Sequence, residues 1–470
     1  MIDTNLYTDY PYYGAHTADD INYDPNKVRI KSLLWKNYDW IKKLDETGKA
    51  RPCVLDNVQK TMLCNTFDMG YDLFECPVCH NYQIICRKCH CRFCNSCGVK
   101  TQKILALKAE NMCVDVPHRH IVFTIPENYR ILFRIDRSAL NLLFVASRNT
   151  ICKMFNENLF RKEKNRQKKT GKIRNDKDNY YLYRNHKYAN RFGMISTIHT
   201  FGRSLSWNPH VHALVPELYY DPKKKKITHH SFFSYKNLRK TFQYELNRLL
   251  FEHFGKQFKK YVDENYEDHP DGFYVYAKDP KDTEQSSSKP ISKNVQGCVN
   301  YMMRYAARPA MAESRIVSYC KDTDQITWFY DDHATNERIT VIESSKEFLK
   351  KLFIHIPDEN FRMIRGYGFY NPKEWKLLNE IHTQIGNTAK VNKDKEEKKQ
   401  KLNQLLKKVR LRTLCLDSFN RDLLRCKCGS LMLYSDSYDP LEGRTNDRSY
   451  RQSCIDEVQK MRLRGIGPSG

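Results

Sequence analysis

The sequence predicts an α+β fold in which helices flank an antiparallel sheet, with a small metal-binding module before the sheet and a helical extension after it. Three observations support this fold class. Short β-branched runs of strand length occur at residues 118–126, 193–201 and 210–220. Longer runs with apolar residues three and four apart, typical of amphipathic helices, occur at 138–160 and 232–254. The cysteines are concentrated in one block ahead of the first strand.

Charge and composition narrow the class of partner. The 470 residues include 80 Lys and Arg against 55 Asp and Glu, which gives a formal net charge of +25 at pH 7. Such a surplus favours a polyanion, either nucleic acid or an anionic membrane surface. No run of about 18 apolar residues could span a membrane, and MIDTNLYTDYPYYG does not resemble a signal peptide. We therefore expect a nucleic-acid partner, no membrane association and a cytoplasmic location.

The positions of the motifs divide the chain into four expected domains. These are an N-terminal tail and helix at 1–50, a zinc-binding domain at 51–115, a catalytic domain at 116–375, and a charged linker with a C-terminal module at 376–470. The basic stretch from 161 to 191 is a candidate track for a DNA backbone, with Tyr180, Tyr181 and Tyr183 as stacking faces. A solvated helical face is the alternative for this stretch.

The cysteine block predicts a structural zinc site. Seven cysteines fall within the 22 residues from Cys76 to Cys97, which is too dense for reactive or structural free thiols. Zinc takes four soft ligands, and each Cys-x-x-Cys turn delivers two of them. The set we expect is Cys76, Cys79, Cys91 and Cys94. Further candidates, which allow a second ion or other pairings, are Cys64, Cys86, Cys89 and Cys97, with His80 and His90.

A histidine cluster predicts a second kind of metal site. His210 and His212 lie two apart on a strand, so both imidazoles point to one face. His199 lies on the preceding strand and approaches the same face if the two strands pair. Three histidines there would hold Mg²⁺ or Mn²⁺ and leave positions for water and a phosphate oxygen. The alternative for His210 and His212 is a pair whose hydrogen bonds are satisfied, or a surface pair. His120, on the 118–126 strand, is a lesser candidate ligand, for which an ordinary histidine at a strand edge is the preferred interpretation.

Two tyrosines are candidate nucleophiles. Tyr301 and Tyr305 lie one helical turn apart and therefore share a face. The nearby Arg304, Arg308 and Arg315 suit a phosphodiester better than an apolar core, which is the alternative interpretation. A tyrosine hydroxyl, with a pKa of about 10, needs a nearby cation to become an effective nucleophile. A metal held by the histidines would supply that help.

The order of these motifs resembles a known family. After the cysteine-rich segment and HIVFT come HTFGRSLSWNPHVHALV, YMMRYAARPAMAESRI and LFIHIPDENFRMIRGYGFYNP. This order is similar to that of the rolling-circle transposases of insertion sequence family ninety-one, in the HUH endonuclease superfamily. The resemblance covers roughly residues 55–375. It implies that His210 and His212 bind a divalent ion and that Tyr301 and Tyr305 attack DNA. Related relaxases carry a third histidine on the neighbouring strand, which supports His199.

The resemblance also bears on the zinc ligands. The family's zinc pattern resembles the positions Cys76, Cys79, Cys86, Cys91 and Cys94, with Arg87 and His90. Cys89 and Cys97 are additional to it. The C-terminal CKCGS shortens a Cys-x-x-Cys knuckle by one residue, which argues against zinc binding by Cys426 and Cys428.

The family implies a function and a fold variant. The fold would be the HUH variant of a ferredoxin-like or RRM-like sheet. The function would be DNA transposition, in which single-stranded element ends and target are cut and rejoined through a 5′-phosphotyrosine. The alternatives are a replication initiator or relaxase of the same superfamily, and a non-catalytic zinc-containing nucleic-acid-binding regulator. We expect a prokaryotic, nucleoid-associated protein.

Overall fold

A computed structural model gives the structure of the chain. The residues it describes are 28–170, 183–184, 186–277, 297, 299–300, 302–303, 309–332, 335, 337–407, 410, 412–413, 415–416, 422–439 and 443–445. They fall into two compact units. The first draws on the ranges 1–101, 311–356 and 403–470, and the second on 102–310 and 357–402. The four consecutive functional domains expected from the sequence stay a prediction.

The described chain contains runs of helices and runs of antiparallel strands. The helices are α1 (Ile30–Lys36), α2 (Tyr38–Glu46), α3 (Pro52–Leu63), α4 (Asn95–Met112), α5 (Glu127–Ile135), α6 (Leu140–Phe155), α7 (Glu157–Thr170), α8 (Tyr235–Phe254), α9 (Lys259–Asp268), α10 (Ser345–Phe353), α11 (Trp375–Gln384) and α12 (Lys395–Lys407). The strands are β1 (Tyr71–Glu75), β2 (Tyr82–Cys86), β3 (His118–Phe123), β4 (Gly193–Phe201), β5 (Trp207–Pro216), β6 (Leu218–Asp221), β7 (Lys226–His229), β8 (Val275–Ala277), β9 (Ile316–Cys320), β10 (Gln325–Asp331), β11 (Arg338–Ser344), β12 (Ile364–Gly368), β13 (Leu433–Asp439) and β14 (Gly443–Thr445).

The second unit is built on a five-stranded sheet in the order β12-β4-β5-β3-β8. Every neighbouring pair in it is antiparallel. The expected strands at 118–126 and 193–201 are confirmed, whereas the expected strand at 210–220 is two strands that meet at Glu217. The Glu217 carboxylate accepts a hydrogen bond from Arg119 at 2.5 Å. The mixed helical and antiparallel fold class is therefore confirmed.

The two faces of this sheet bury different clusters. One face packs against α6 and α8, because alternate residues of each strand are apolar on that side. Members of this cluster are Ile121, Phe123, Val211, Phe144, Phe242 and Leu246. The opposite face carries the second cluster, which includes Ile195, Leu214, Val299, Met302, Met303, Phe369 and Tyr370. Each fully buried side chain of this size contributes roughly 1.5–3 kcal/mol.

Close packing at the edge of the sheet predicts a large effect of one substitution. Gly368 ends β12 with φ +58, and a Cβ there would lie 1.7 Å from the carbonyl oxygen of Phe192. We expect Gly368→Ala to lower the free energy of unfolding by about 3 kcal/mol or more, because backbone must move. The control is Gly386→Ala, where φ is +78 but no atom lies within 4 Å of the added Cβ. Thermal unfolding measures both, and equal shifts would contradict the packing argument.

The first unit contains two smaller sheets. A three-stranded sheet has the order β11-β10-β9, and a four-stranded sheet has the order β14-β13-β1-β2. The four-stranded sheet joins distant parts of the sequence, because β13 pairs antiparallel with β1. None of the described helices combines the length and the apolar character that crossing a membrane requires.

Candidate active site and cysteine clusters

Three histidines converge on the face of the five-stranded sheet that also carries Ile195 and Leu214. His199 lies opposite His210 in the β4–β5 register, and His212 follows two residues later on the same face. One ring nitrogen from each lies within 4.8 Å of the other two. The ring centroids of His199 and His212 are 4.2 Å apart. The structure therefore brings together the three histidines that the sequence analysis expected to share a face.

The protonation state of the cluster suits a metal ion. Burial lowers the pKa of His210 and lowers that of His212 well below its ordinary value, so both imidazoles are neutral at pH 7. The Nδ1 of His210 lies 2.7 Å from the carbonyl oxygen of Asn208 and must donate to it. That bond leaves the lone pair on Nε2, the state in which histidine binds metal. The donor set therefore fits a divalent ion.

A fourth histidine supports the cluster from β3. The Nε2 of His120 lies 2.8 Å from the Nδ1 of His212, and the two rings stack with centroids 5.0 Å apart. Burial lowers the pKa of His120 to about 4. When the Nδ1 of His212 donates to His120, the Nε2 of His212 is left with its lone pair. His120 is thus placed to orient a candidate ligand, as partners of metal-bound histidines do.

Cysteines form a first cluster, cluster A, beside the helix ends of the first unit. Its members are Cys64, Cys89, Cys94 and Cys97. Cys64 immediately follows α3, whereas Cys97 lies in the first turn of α4. The Sγ of Cys97 lies 3.6 Å from that of Cys64 and 3.6 Å from that of Cys89. Zinc–sulfur bonds of about 2.3 Å in a tetrahedron place sulfurs about 3.8 Å apart, so cluster A fits zinc.

A second cluster, cluster B, unites cysteines that are far apart in the sequence. Its members are Cys76, Cys79, Cys426 and Cys428. The Sγ atoms of Cys76 and Cys428 are 3.4 Å apart, as are those of Cys79 and Cys426. Cys426 and Cys428, whose shortened motif argues against zinc binding, therefore lie together with Cys76 and Cys79.

The expected zinc set is divided between the two clusters. Cys76 and Cys79 lie in cluster B, whereas Cys94 lies in cluster A with three of the further candidates. Cys91 belongs to neither, although its backbone N–H donates to the Sγ of Cys89 at 3.4 Å. The β1–β2 hairpin causes this division. Cys76 and Cys79 lie in its turn, whereas its open end leads to Cys89. Five extended residues separate these ends by about 17 Å.

Cys86 is the remaining further candidate. It ends β2, is 3% exposed and belongs to neither cysteine cluster. Burial raises the pKa of its thiol, which is the behaviour of a packed apolar cysteine.

Comparison with known proteins identifies the family. The family described as "Putative transposase" matches residues 193–376, which include all three histidines of the cluster and both candidate tyrosines. The "Transposase zinc-binding domain" family of IS91 transposases matches residues 36–125, which include all of cluster A. The chain belongs to the IS91 family of transposases. The zinc-binding match and the two cysteine clusters support zinc as a cofactor of the transposase.

Curated relatives of the transposase cover most of its length. It is 26% identical over 367 residues to the transposase for insertion sequence element IS801 of Pseudomonas savastanoi pv. phaseolicola, which covers 74% of this chain and 80% of the relative. It is 23% identical to the putative transposase y4qJ of Sinorhizobium fredii, with 70% and 79% covered. No solved structure matches the chain.

The tyrosine segment of the transposase is described only in part. Tyr301, Tyr305, Arg304 and Arg308 lie outside the described residues. Arg315 is described and is half-buried directly before β9, in the first unit. Met302 and Met303 are 0% and 1% exposed, in the cluster on the face of the sheet that carries the histidines.

One expected DNA contact is wrong. Tyr183 was expected to offer a stacking face, but it is 3% exposed and packs with ring centroids 5.2 Å from Phe192. The guanidinium of Arg191 lies 5.0 Å from its ring centroid. Tyr180 and Tyr181 lie outside the described residues.

Proposed function

We propose that this transposase mobilises an insertion sequence by a rolling-circle mechanism that cuts and rejoins single-stranded DNA. The observation that carries the proposal is the convergence of His199, His210 and His212 on adjacent strands. The HUH variant of the ferredoxin-like sheet belongs to the same proposal. An antiparallel sheet with the paired histidines on its central strand supports it.

The three histidines would hold Mg²⁺ or Mn²⁺ through neutral imidazoles. When bound, such an ion would supply Lewis-acid polarisation of the scissile phosphate. The protein contributes the rigidity of the site, because the ligands come from two hydrogen-bonded strands. His210 is further fixed by its bond to the Asn208 carbonyl, and His212 by His120. Such fixed ligands need little rearrangement when a substrate arrives.

Tyr301 or Tyr305 is the proposed nucleophile. Its hydroxyl oxygen forms a bond to phosphorus and loses its proton, while the bond from phosphorus to the 3′-oxygen breaks. The 3′-oxygen takes up a proton and leaves as a 3′-hydroxyl, and the 5′ end stays attached to tyrosine. The ester keeps the energy of the broken bond, so rejoining by a 3′-hydroxyl needs no ATP. The burial of Met302 and Met303 on the histidine face supports a tyrosine segment close to the site.

The remaining parts of the chain have proposed roles in DNA binding. The zinc-binding domain would grip DNA near the cut, and the net charge of +25 would favour the backbone of single-stranded ends and target. Arg304, Arg308 and Arg315 are proposed phosphate contacts. A cytoplasmic location at the nucleoid follows from a DNA substrate.

A cleavage assay tests the proposal against its alternatives. Single-stranded DNA from both flanks of the gene is incubated with the protein in Mg²⁺, Mn²⁺ or EDTA. We expect cleavage at the ends of the element with either ion and none in EDTA. A non-catalytic regulator would bind without cutting under any condition. Single-stranded plasmid and phage origins are tested in parallel, and cleavage of these but not of the flanks would instead favour a replication initiator or relaxase.

His120 provides a test of the metal site that leaves the three ligands in place. We expect His120→Ala to raise the Mn²⁺ concentration needed for half-maximal cleavage by about 10–100-fold, because His212 loses its orienting partner. The control is His118→Ala on the same strand, since His118 bonds the hydroxyl of Tyr370 instead. Equal metal requirements in the two variants would contradict this role of His120.

A further inference from the structure

We propose that cluster B is a second zinc site, through which the C-terminal segment is clasped to the N-terminal zinc-binding module. Half of its ligands lie outside the residues that match the zinc-binding family, which end at 125. The site requires the segment around Cys426 to fold as a zinc knuckle, a tight turn that presents two cysteine sulfurs, although this segment contains one residue fewer than a Cys-x-x-Cys turn.

The first knuckle is the turn of the β1–β2 hairpin. The backbone N–H of Cys76 donates to the carbonyl of Asn81 at 2.9 Å, and the N–H of His80 donates to the carbonyl of Cys76 at 3.0 Å. His80, directly after Cys79, has φ 57, in the left-handed region. The side chain of Asn81 donates to the Sγ of Cys79 at 3.3 Å, which stabilises a thiolate there.

The second knuckle repeats this pattern without the extra residue. The backbone N–H of Cys426 donates to the carbonyl of Ser430 at 2.9 Å, and the N–H of Gly429 donates to the carbonyl of Cys426 at 2.9 Å. Gly429, directly after Cys428, has φ +86, the counterpart of His80. A Cβ at Gly429 would meet no atom within 4 Å, so the backbone conformation is what favours glycine here. The shortened motif therefore still forms a knuckle.

The two knuckles face each other with their sulfurs at zinc-binding separations. Two Sγ pairs across the knuckles are each 3.4 Å apart, far above the roughly 2.05 Å of a disulfide bond. These distances lie close to the edge of a zinc tetrahedron, about 3.8 Å. Four thiolates in such an arrangement select zinc or iron over harder ions. Zinc is the ion already supported for this module.

Few apolar side chains surround cluster B, so a metal would add to the cohesion of this region. Two of its thiols, those of Cys79 and Cys428, are exposed. The surrounding core is small: Cys76 and Cys426 are buried with Met432, and Phe74 packs against them. Such a small apolar core stabilises a knuckle only weakly. Small domains with cores of this kind depend on a bound metal to fold. Zinc would also support the pairing of β13 with β1.

Counting zinc in the full-length protein tests the proposal. We expect two zinc ions per chain in the wild type and one in the Cys426→Ser, Cys428→Ser double variant, measured by plasma mass spectrometry. The matched control is Cys53→Ser with Cys320→Ser, which changes two cysteines outside both clusters and should retain two ions. A double variant that still holds two ions overturns the proposal, as does a wild type with one ion or with iron.

Two further variants keep the test decisive if the first misfolds. Cys428→His preserves a zinc ligand, so this variant should keep two ions and, with cobalt, show weaker thiolate-to-metal charge-transfer absorption.

Cys64→Ser with Cys97→Ser should lose the other ion while the segment 422–439 stays protected from proteolysis. That segment should become sensitive in the Cys426→Ser, Cys428→Ser variant. Unchanged cobalt spectra, or equal sensitivity in both double variants, overturn the clasp. Neither measurement depends on DNA cleavage.

Discussion

Cleavage of single-stranded DNA is expected to fall about 1,000-fold or more when His210 or His212 is replaced by alanine. Lewis-acid stabilisation of a transition state is worth several kcal/mol, and each 1.4 kcal/mol is about tenfold in rate. Most DNA binding should remain, since it depends on charges elsewhere. The readouts are the cleavage rate and the affinity for a single-stranded oligonucleotide.

The control for these variants is another buried histidine of the second unit. His382 in α11 is 1% exposed and is not a member of the histidine cluster. His382→Ala removes a buried imidazole too, and we expect it to retain cleavage once its folding is verified. If the variant that lacks both His210 and His212 still cleaves DNA in EDTA, the metal site is not the catalytic centre.

The second large effect concerns the two tyrosines. We expect Tyr301→Phe and Tyr305→Phe each to retain some single cleavage, to unequal extents, because either hydroxyl can attack once. Each variant should lose most transposition in cells, since rolling-circle movement needs a second attack while the first end is held. The variant with both changes should form no covalent adduct with DNA. Adduct formation on denaturing gels and a mating-out assay measure these outcomes.

Replacing a different tyrosine with phenylalanine provides the matched control. Tyr276 in β8 is 41% exposed and belongs to the same unit, so Tyr276→Phe should leave both assays unchanged. Wild-type transposition by either Tyr301→Phe or Tyr305→Phe would exclude the two-tyrosine mechanism and require a scheme with one nucleophile.

The histidine cluster could be predicted from the sequence because its geometry is local. Side chains alternate along a strand, so His210 and His212 had to share a face wherever the strand lay. A short connection makes β4 and β5 antiparallel neighbours, which brings His199 opposite His210. The role of His120 could not be assigned in this way. The pairing of β3 with the other side of β5 depends on the whole sheet and leaves no local signal.

The division of the cysteines between two clusters could not be predicted from the sequence, because it also depends on pairing between strands that are far apart in the chain. Spacing shows which cysteines form knuckles, but not which two knuckles meet. Cys76 and Cys428 are 352 residues apart, and the strand pairing of β13 with β1 brings their segments together. One local signal was present: a glycine follows Cys428 where a knuckle requires a positive φ. The spacing of the two cysteines in CKCGS points away from a knuckle, so the two local signals disagree.

Mapping a covalent DNA adduct tests the central claim most directly. The full-length protein is incubated with a single-stranded element end and Mn²⁺, digested with protease, and the DNA-linked peptide is sequenced by mass spectrometry. The account predicts a 5′-phosphate ester on Tyr301 or Tyr305, absent in EDTA and absent in the His210→Ala variant. An adduct on another residue, or cleavage that leaves a free 5′-phosphate and no adduct at any time, would contradict it.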